Sequence, residues 1–185
     1  MQGLLMVHTG DGKGKTTAAL GLALRAFGAG LRVLILQFIK GGQTYGELNA
    51  IKLLEMERWK GEKVESDFSG KIKIQQCGIG FTSKGDFDEH KKFAQETLKL
   101  AEKEILSGEW DLIILDEINY AVKFGLISEE ELFALIKKRP AEVHLLLTGR
   151  DAPKKIIEVA DLVTEMTLIK HPFQQGVKAQ RGIEF

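Results

Sequence analysis

The chain reads as a three-layer α/β fold built around a mostly parallel central sheet. Three observations predict it. Short apolar runs alternate with helical patterns along most of the sequence. Several runs are continuously apolar, as strands covered on both faces are. The 185 residues are 44% hydrophobic and 28% charged, enough for one sizeable core in a single domain spanning 1–185.

Six strands are expected: "LLMV" (4–7), "RVLILQF" (32–38), "KIKIQQ" (71–76), "DLIILD" (111–116), "VHLLLTG" (143–149) and "LVTEMTLI" (162–169). Helices are expected over 15–28, 87–107, 128–138 and 153–159. In the second helix, Phe93, Leu98, Ala101 and Ile105 form an apolar stripe. The third opens on Ser128 with Glu131 three residues on, a capping box. Residues 54–70, "LEMERWKGEKVESDFSG", are irregular and highly charged, and read as a surface excursion or flap. No internal repeat or low-complexity segment interrupts the pattern.

The bulk chemistry excludes several classes. Basic and acidic side chains number 26 each, so no strong field favours nucleic acid or an anionic membrane. No apolar run is long enough to span a bilayer. The single cysteine, Cys77, allows no internal disulfide or zinc cluster and suits a reducing cytoplasm. The opening "MQGLLMVHTG" lacks the basic and long apolar regions of a signal peptide. His8, His90, His144 and His171 show no metal-ligand spacing and are expected to be structural or superficial.

The most informative stretch is "VHTGDGKGKTTAALG" (7–21), a glycine-rich turn between an expected strand and helix. In such a loop the backbone N–H groups converge into an anion nest, reinforced by the positive end of the helix. Lys15 reaches phosphate oxygens, and the Thr16 hydroxyl suits Mg²⁺. Thr9 stands where the strict phosphate-loop motif has its first glycine, with Gly10, Gly12 and Gly14 following. A second element, "LIILDEIN" (112–119), is an apolar strand ending in Asp116 and Glu117, where a phosphate-loop protein places its metal-side acid. Together they define a P-loop NTPase-like (RecA-like) fold that binds Mg²⁺ and a nucleoside triphosphate.

"SKGD" (83–86) resembles a guanine-reading motif but precedes the acidic strand, which such a motif should follow. Arg150, in "LLLTGRDAP", is the one arginine expected near the sheet's carboxyl edge. A small-molecule kinase or ATP-dependent ligase and a nucleotide-dependent switch remain compatible with these residues.

Six segments together resemble the P-loop type of ATP:corrinoid adenosyltransferase, also called the cob(I)alamin adenosyltransferase family. They are "TGDGKGKTTAALG" (9–21), "LQFIKGGQTYGELN" (36–49), "CGIGFTSKG" (77–85), "LDEINYAVKFGLI" (115–127), "LLLTGRDAP" (145–153) and "KHPFQQGVKAQRGIEF" (170–185). They fall in the family's order across nearly the whole chain, and threonine at the head of the loop is the family's own form.

The resemblance implies transfer of the 5′-deoxyadenosyl group of ATP to the Co(I) of a reduced corrinoid, with triphosphate as the other product. Gly10, Asp11, Gly12, Lys13, Gly14, Lys15, Thr16 and Thr17 then hold the triphosphate. Thr16, Asp116 and Glu117 hold Mg²⁺, and Lys15, Thr16 and Glu117 carry the chemistry. Lys40, Glu47 and Asn49 border the adenosine, while Phe81, His171 and Phe173 face the corrinoid. Ser83 departs from the family, where an aromatic often stands, leaving Phe81, Phe87 or Phe173 to supply the apolar surface. By residue type alone, Phe81 and Phe173 are more often core than ligand contacts. The resemblance further implies a homodimer, an electron-donor flavoprotein as partner and a place for residues 170–185 near the active site.

Overall fold

A computed structural model describes residues 2–42, 45–56, 68–80 and 87–184. Its centre is a six-stranded sheet, every pairing of which is parallel. The strands are β1 (Leu5–Thr9), β2 (Arg32–Gln37), β3 (Lys71–Gln76), β4 (Leu112–Asp116), β5 (His144–Thr148) and β6 (Leu162–Glu165). Their spatial order is β3-β2-β4-β5-β1-β6. β5 therefore lies between β1 and β4 and sets the spacing between the glycine-rich loop and the acidic strand end.

Helices cover both faces. α1 (Lys15–Gly28) and α2 (Gly46–Met56) pack on one, with Ala19, Ala23, Ala26 and Ile51 against Met6, Val33, Ile35, Ile114 and Leu146. The other is covered by α3 (Phe87–Leu106), α4 (Ile118–Lys123), α5 (Glu129–Lys138) and α6 (Lys154–Val159). Their Leu98, Ala101, Ile105, Ile118, Leu132 and Ile156 meet Leu5, Val7, Leu36, Ile113, Leu115, Leu145 and Leu147. Alternate residues of the central strands thus serve opposite layers, and both layers are apolar. That is why these strands read as continuous apolar runs.

The expected Ser128–Glu131 capping box is present. Three other expectations are corrected. α3 buries Ala94 with Leu98, Ala101 and Ile105, while Phe93 is only half-buried. β6 ends at Glu165, because the Met166 backbone turns to the glycine-rich loop: its N–H donates to the Thr9 carbonyl, and its carbonyl accepts from the Gly12 N–H at 2.6 Å. Residues 54–56, placed in the irregular stretch, belong to α2. The rest of that stretch up to residue 67 lies outside the described residues.

Candidate nucleotide site

The loop joining β1 to α1 shows why threonine can head it. Thr9 ends a strand and has an ordinary extended backbone, so glycine's freedom is not needed there. Its hydroxyl accepts the Ala152 N–H at 3.1 Å, tying the loop to the turn after β5. Positive φ falls on the next glycines, Gly10 at 94° and Gly14 at 112°. A Cβ on Gly10 would also meet the Met166 carbonyl oxygen at 2.5 Å. Gly14 caps α1 without a side-chain acceptor, leaving the first-turn amides available to an anion.

Lys15 is buried, and its Nζ donates to the Gly10 and Gly12 carbonyls, both at 2.7 Å. Burial holds its pKa below the ordinary lysine value, with Glu117 pulling the other way. The ammonium is therefore held by carbonyls of the loop it would serve, and a phosphate offers a stronger acceptor within the same reach.

Thr16 reaches across to β4, its hydroxyl donating to Asp116 Oδ1 at 2.8 Å. The Asp116 side chain is fully enclosed. It also accepts from Thr148 Oγ1 at 2.8 Å and from Gln37 Nε2 at 3.2 Å. Lys40 Nζ lies 3.8 Å from Asp116 Oδ2 and 3.0 Å from Glu47 Oε1. Burial opposes the Lys40 charge, but Asp116 and Glu47 outweigh it and raise its pKa. Glu117, the next residue after β4, has a left-handed backbone with φ of 64°. Its carboxyl is pushed above the ordinary value by burial and by the Asp116 charge, against Lys15, Lys40 and Arg150.

Of these, Lys15, Thr16, Lys40, Glu47 and Glu117 line a cavity of about 920 Å³, at the upper end of the size usual for small-molecule sites, while Asp116 lies buried behind them. Residues 11–17 form its floor, with Lys40, Glu47, Glu117, Tyr120 and Arg150 around them. Leu168, His171, Phe173, Gln174, Ile183 and Glu184 close another side, and Lys13 pairs with Glu184 at 2.8 Å. Phe173 is 76% exposed, so it is not a core residue. Asn49 is exposed on α2 and does not line the cavity; Gly10 serves through its backbone. Phe81, Ser83 and the "SKGD" stretch lie outside the described residues.

Thr16, Asp116 and Glu117 offer only oxygen donors, the chemistry Mg²⁺ selects. Among the described residues no group of three or more His, Cys, Asp and Glu side chains could hold a metal.

Several residues that shape the site were missed in the sequence. Gln37 and Thr148 are uncharged strand-end residues, and Tyr120 and Leu168 belong to no nucleotide motif. Their signal was position, at or after the carboxyl ends of parallel strands.

A parallel three-layer sheet, a glycine-rich loop entering a helix and an acidic strand end facing it define a P-loop nucleotide-binding protein. The chain belongs to the ATP:corrinoid adenosyltransferase family BtuR/CobO/CobP, whose sequence model matches residues 1–185. It is 38% identical over 185 residues to the corrinoid adenosyltransferase of Pseudomonas aeruginosa, covering all of this chain and 84% of that one. It is 38% identical over 186 residues to the corrinoid adenosyltransferase of a Sinorhizobium species, covering all of this chain and 81% of the other. Against the corrinoid adenosyltransferase CobA of Salmonella typhimurium the figure is 33% over 192 residues, covering 100% and 86%. Among the described residues no helix is long and apolar enough to cross a membrane.

Proposed function

We propose that the protein transfers the 5′-deoxyadenosyl group of ATP to the Co(I) of a reduced corrinoid, releasing triphosphate. Family membership over the full chain supports the reaction. The observation that carries its local chemistry is the Lys15 ammonium, held at the cavity by the Gly10 and Gly12 carbonyls beside the uncapped first turn of α1.

The reaction asks little acid–base work of the protein. The cobalt electron pair forms a bond to C5′, the C5′–O bond breaks, and its electrons leave on the triphosphate. No proton is removed, and no protein nucleophile intervenes. What the chain supplies is stabilisation of negative charge growing on the leaving oxygens. The first-turn amides of α1 and the Lys15 ammonium are the groups offered for that. Lys40 and Glu47, paired beside the same cavity, border the adenosine in this reading. When bound, Mg²⁺ neutralises triphosphate charge, and Thr16, Asp116 and Glu117 are the residues that would hold it.

The corrinoid is assigned to the side of the cavity formed by the C-terminal segment. There Phe173, Ile183 and Leu168 expose apolar surface at its wall, beside His171. Exposed apolar side chains at the wall of a charged cavity suit a large, flat, mostly apolar macrocycle. Phe81 is assigned to the same ligand on resemblance alone. The protein acts as one domain, with residues 170–185 part of its active site. A homodimer, a flavoprotein electron donor and a cytoplasmic location belong to the same proposal.

ATP labelled at C5′, incubated anaerobically with the protein, Mg²⁺ and a Co(I) corrinoid, should deliver its label to an organocobalt product. Label that remains on nucleotide overturns the assignment.

A further inference from the structure

Thr148 is the last residue of β5, the strand between the loop-bearing β1 and the acid-bearing β4, and it is fully buried. Its hydroxyl does two things at once. It accepts the backbone N–H of Glu117 at 2.9 Å and lies 2.8 Å from Asp116 Oδ1. A hydroxyl has one proton and two lone pairs. The amide can only donate, so the hydroxyl proton must go to the carboxylate. The direction of the chain of bonds is therefore fixed: Glu117 N–H to Thr148, Thr148 to Asp116.

The two acids need this support for different reasons. The Asp116 carboxylate could rotate about its last bond. Thr148 and Thr16 hold Oδ1, while Gln37 holds Oδ2 from the neighbouring strand. Glu117 needs its backbone held, because φ of 64° is a conformation a non-glycine residue keeps only when its surroundings impose it. The Thr148–Glu117 bond is such a constraint, and it acts where the chain leaves β4 and the Glu117 side chain enters the cavity.

We propose that Thr148 is the positioning residue of the metal-side acids, setting the Asp116 carboxylate and the Glu117 backbone together through one hydroxyl. This rests on the nucleotide and Mg²⁺ assignment above. Loss of the hydroxyl breaks no bond to Lys15 or to the loop backbone, since the hydroxyl bonds only the Asp116 carboxylate and the Glu117 N–H. The effect should therefore fall on the metal requirement and spare metal-free nucleotide binding.

The test is a Mg²⁺ titration of fluorescent ATP-analogue binding to the full chain, without corrinoid, for wild type, Thr148→Val and Thr148→Ser. Thr148→Val should raise the Mg²⁺ concentration for half-maximal binding by roughly ten- to a hundredfold, the usual cost of losing an outer-shell partner. Thr148→Ser, which keeps the hydroxyl, should track wild type, and binding in EDTA should be equal in all three. An unmoved requirement in Thr148→Val overturns the proposal, as does an equal loss of binding in EDTA. So does a serine variant that shifts as far as the valine one, which would assign the effect to the methyl group. If Thr148→Val does not fold, Thr148→Cys replaces it as a weak donor of similar size, with the same overturning result. Because the assay omits corrinoid, failure of adenosyl transfer in wild type would overturn the functional reading and leave this measurement standing.

Discussion

The Thr16 hydroxyl donates to Asp116 Oδ1 at 2.8 Å, joining residues 100 positions apart in the chain. This contact brings the start of α1 and the end of β4 to the distance a shared cation needs. Asp116→Asn and Glu117→Gln are each expected to raise the Mg²⁺ requirement for turnover by more than about tenfold, with the fold intact. The measurement is initial rate against Mg²⁺ concentration, with circular dichroism as the folding control. An unchanged requirement in both variants would remove these acids from the metal site.

Lys15 is the positive charge of the anion nest. Lys15→Ala should lower adenosylation by roughly two orders of magnitude or more, through lost stabilisation of the leaving triphosphate. Burial works against its charge while its two loop bonds favour the fold, so circular dichroism accompanies the rate as the folding control. Near-normal turnover in a folded Lys15→Ala protein contradicts the assigned role.

Glu117 offers a pH test. Its folded pKa is raised above the ordinary value, first by burial and then by Asp116. A raised carboxyl favours the folded state while protonated, and that contribution is lost as pH rises through the folded pKa. Above that pKa the nucleotide-free protein carries the cost of an ionised, buried carboxylate. Glu117→Gln should melt at a higher temperature there, and its advantage should shrink as pH falls below the ordinary carboxyl range. Thermal melts across pH check both parts; a variant less stable than wild type above that pKa contradicts the argument.

Phe173 tests the corrinoid wall. It is 76% exposed, so Phe173→Ala should change stability by no more than about 0.5 kcal/mol. If it packs on the corrinoid, the KM for corrinoid should rise roughly tenfold, while the KM for ATP stays put. A shift confined to ATP would place Phe173 against the nucleotide.

The layers and the loop were legible because their signals are local. A double-faced strand such as Leu112–Asp116 must be apolar throughout, and a phosphate nest needs its glycines and lysine within a few residues. The short α4 was not legible, since it starts one residue after β4 and its first residues read on from the strand as "LIILDEIN". α2 begins at a glycine and runs into a charged stretch, which masked it. Thr148 and Gln37 were invisible for a different reason. Their roles exist only once β5 and β2 flank β4, and strand order is a property of the whole chain. Thr9 was legible as a departure, but its explanation, the bond to Ala152, joins parts of the chain 143 residues apart.

The most direct test of the central claim is the inorganic product formed from ATP when wild-type protein turns over with Mg²⁺ and Co(I) corrinoid. Attack at C5′ expels the whole triphosphate, so one triphosphate should appear for each adenosylated corrinoid, with no ADP. ADP and phosphate formed in step with turnover would mean attack at phosphorus, and the account would be wrong.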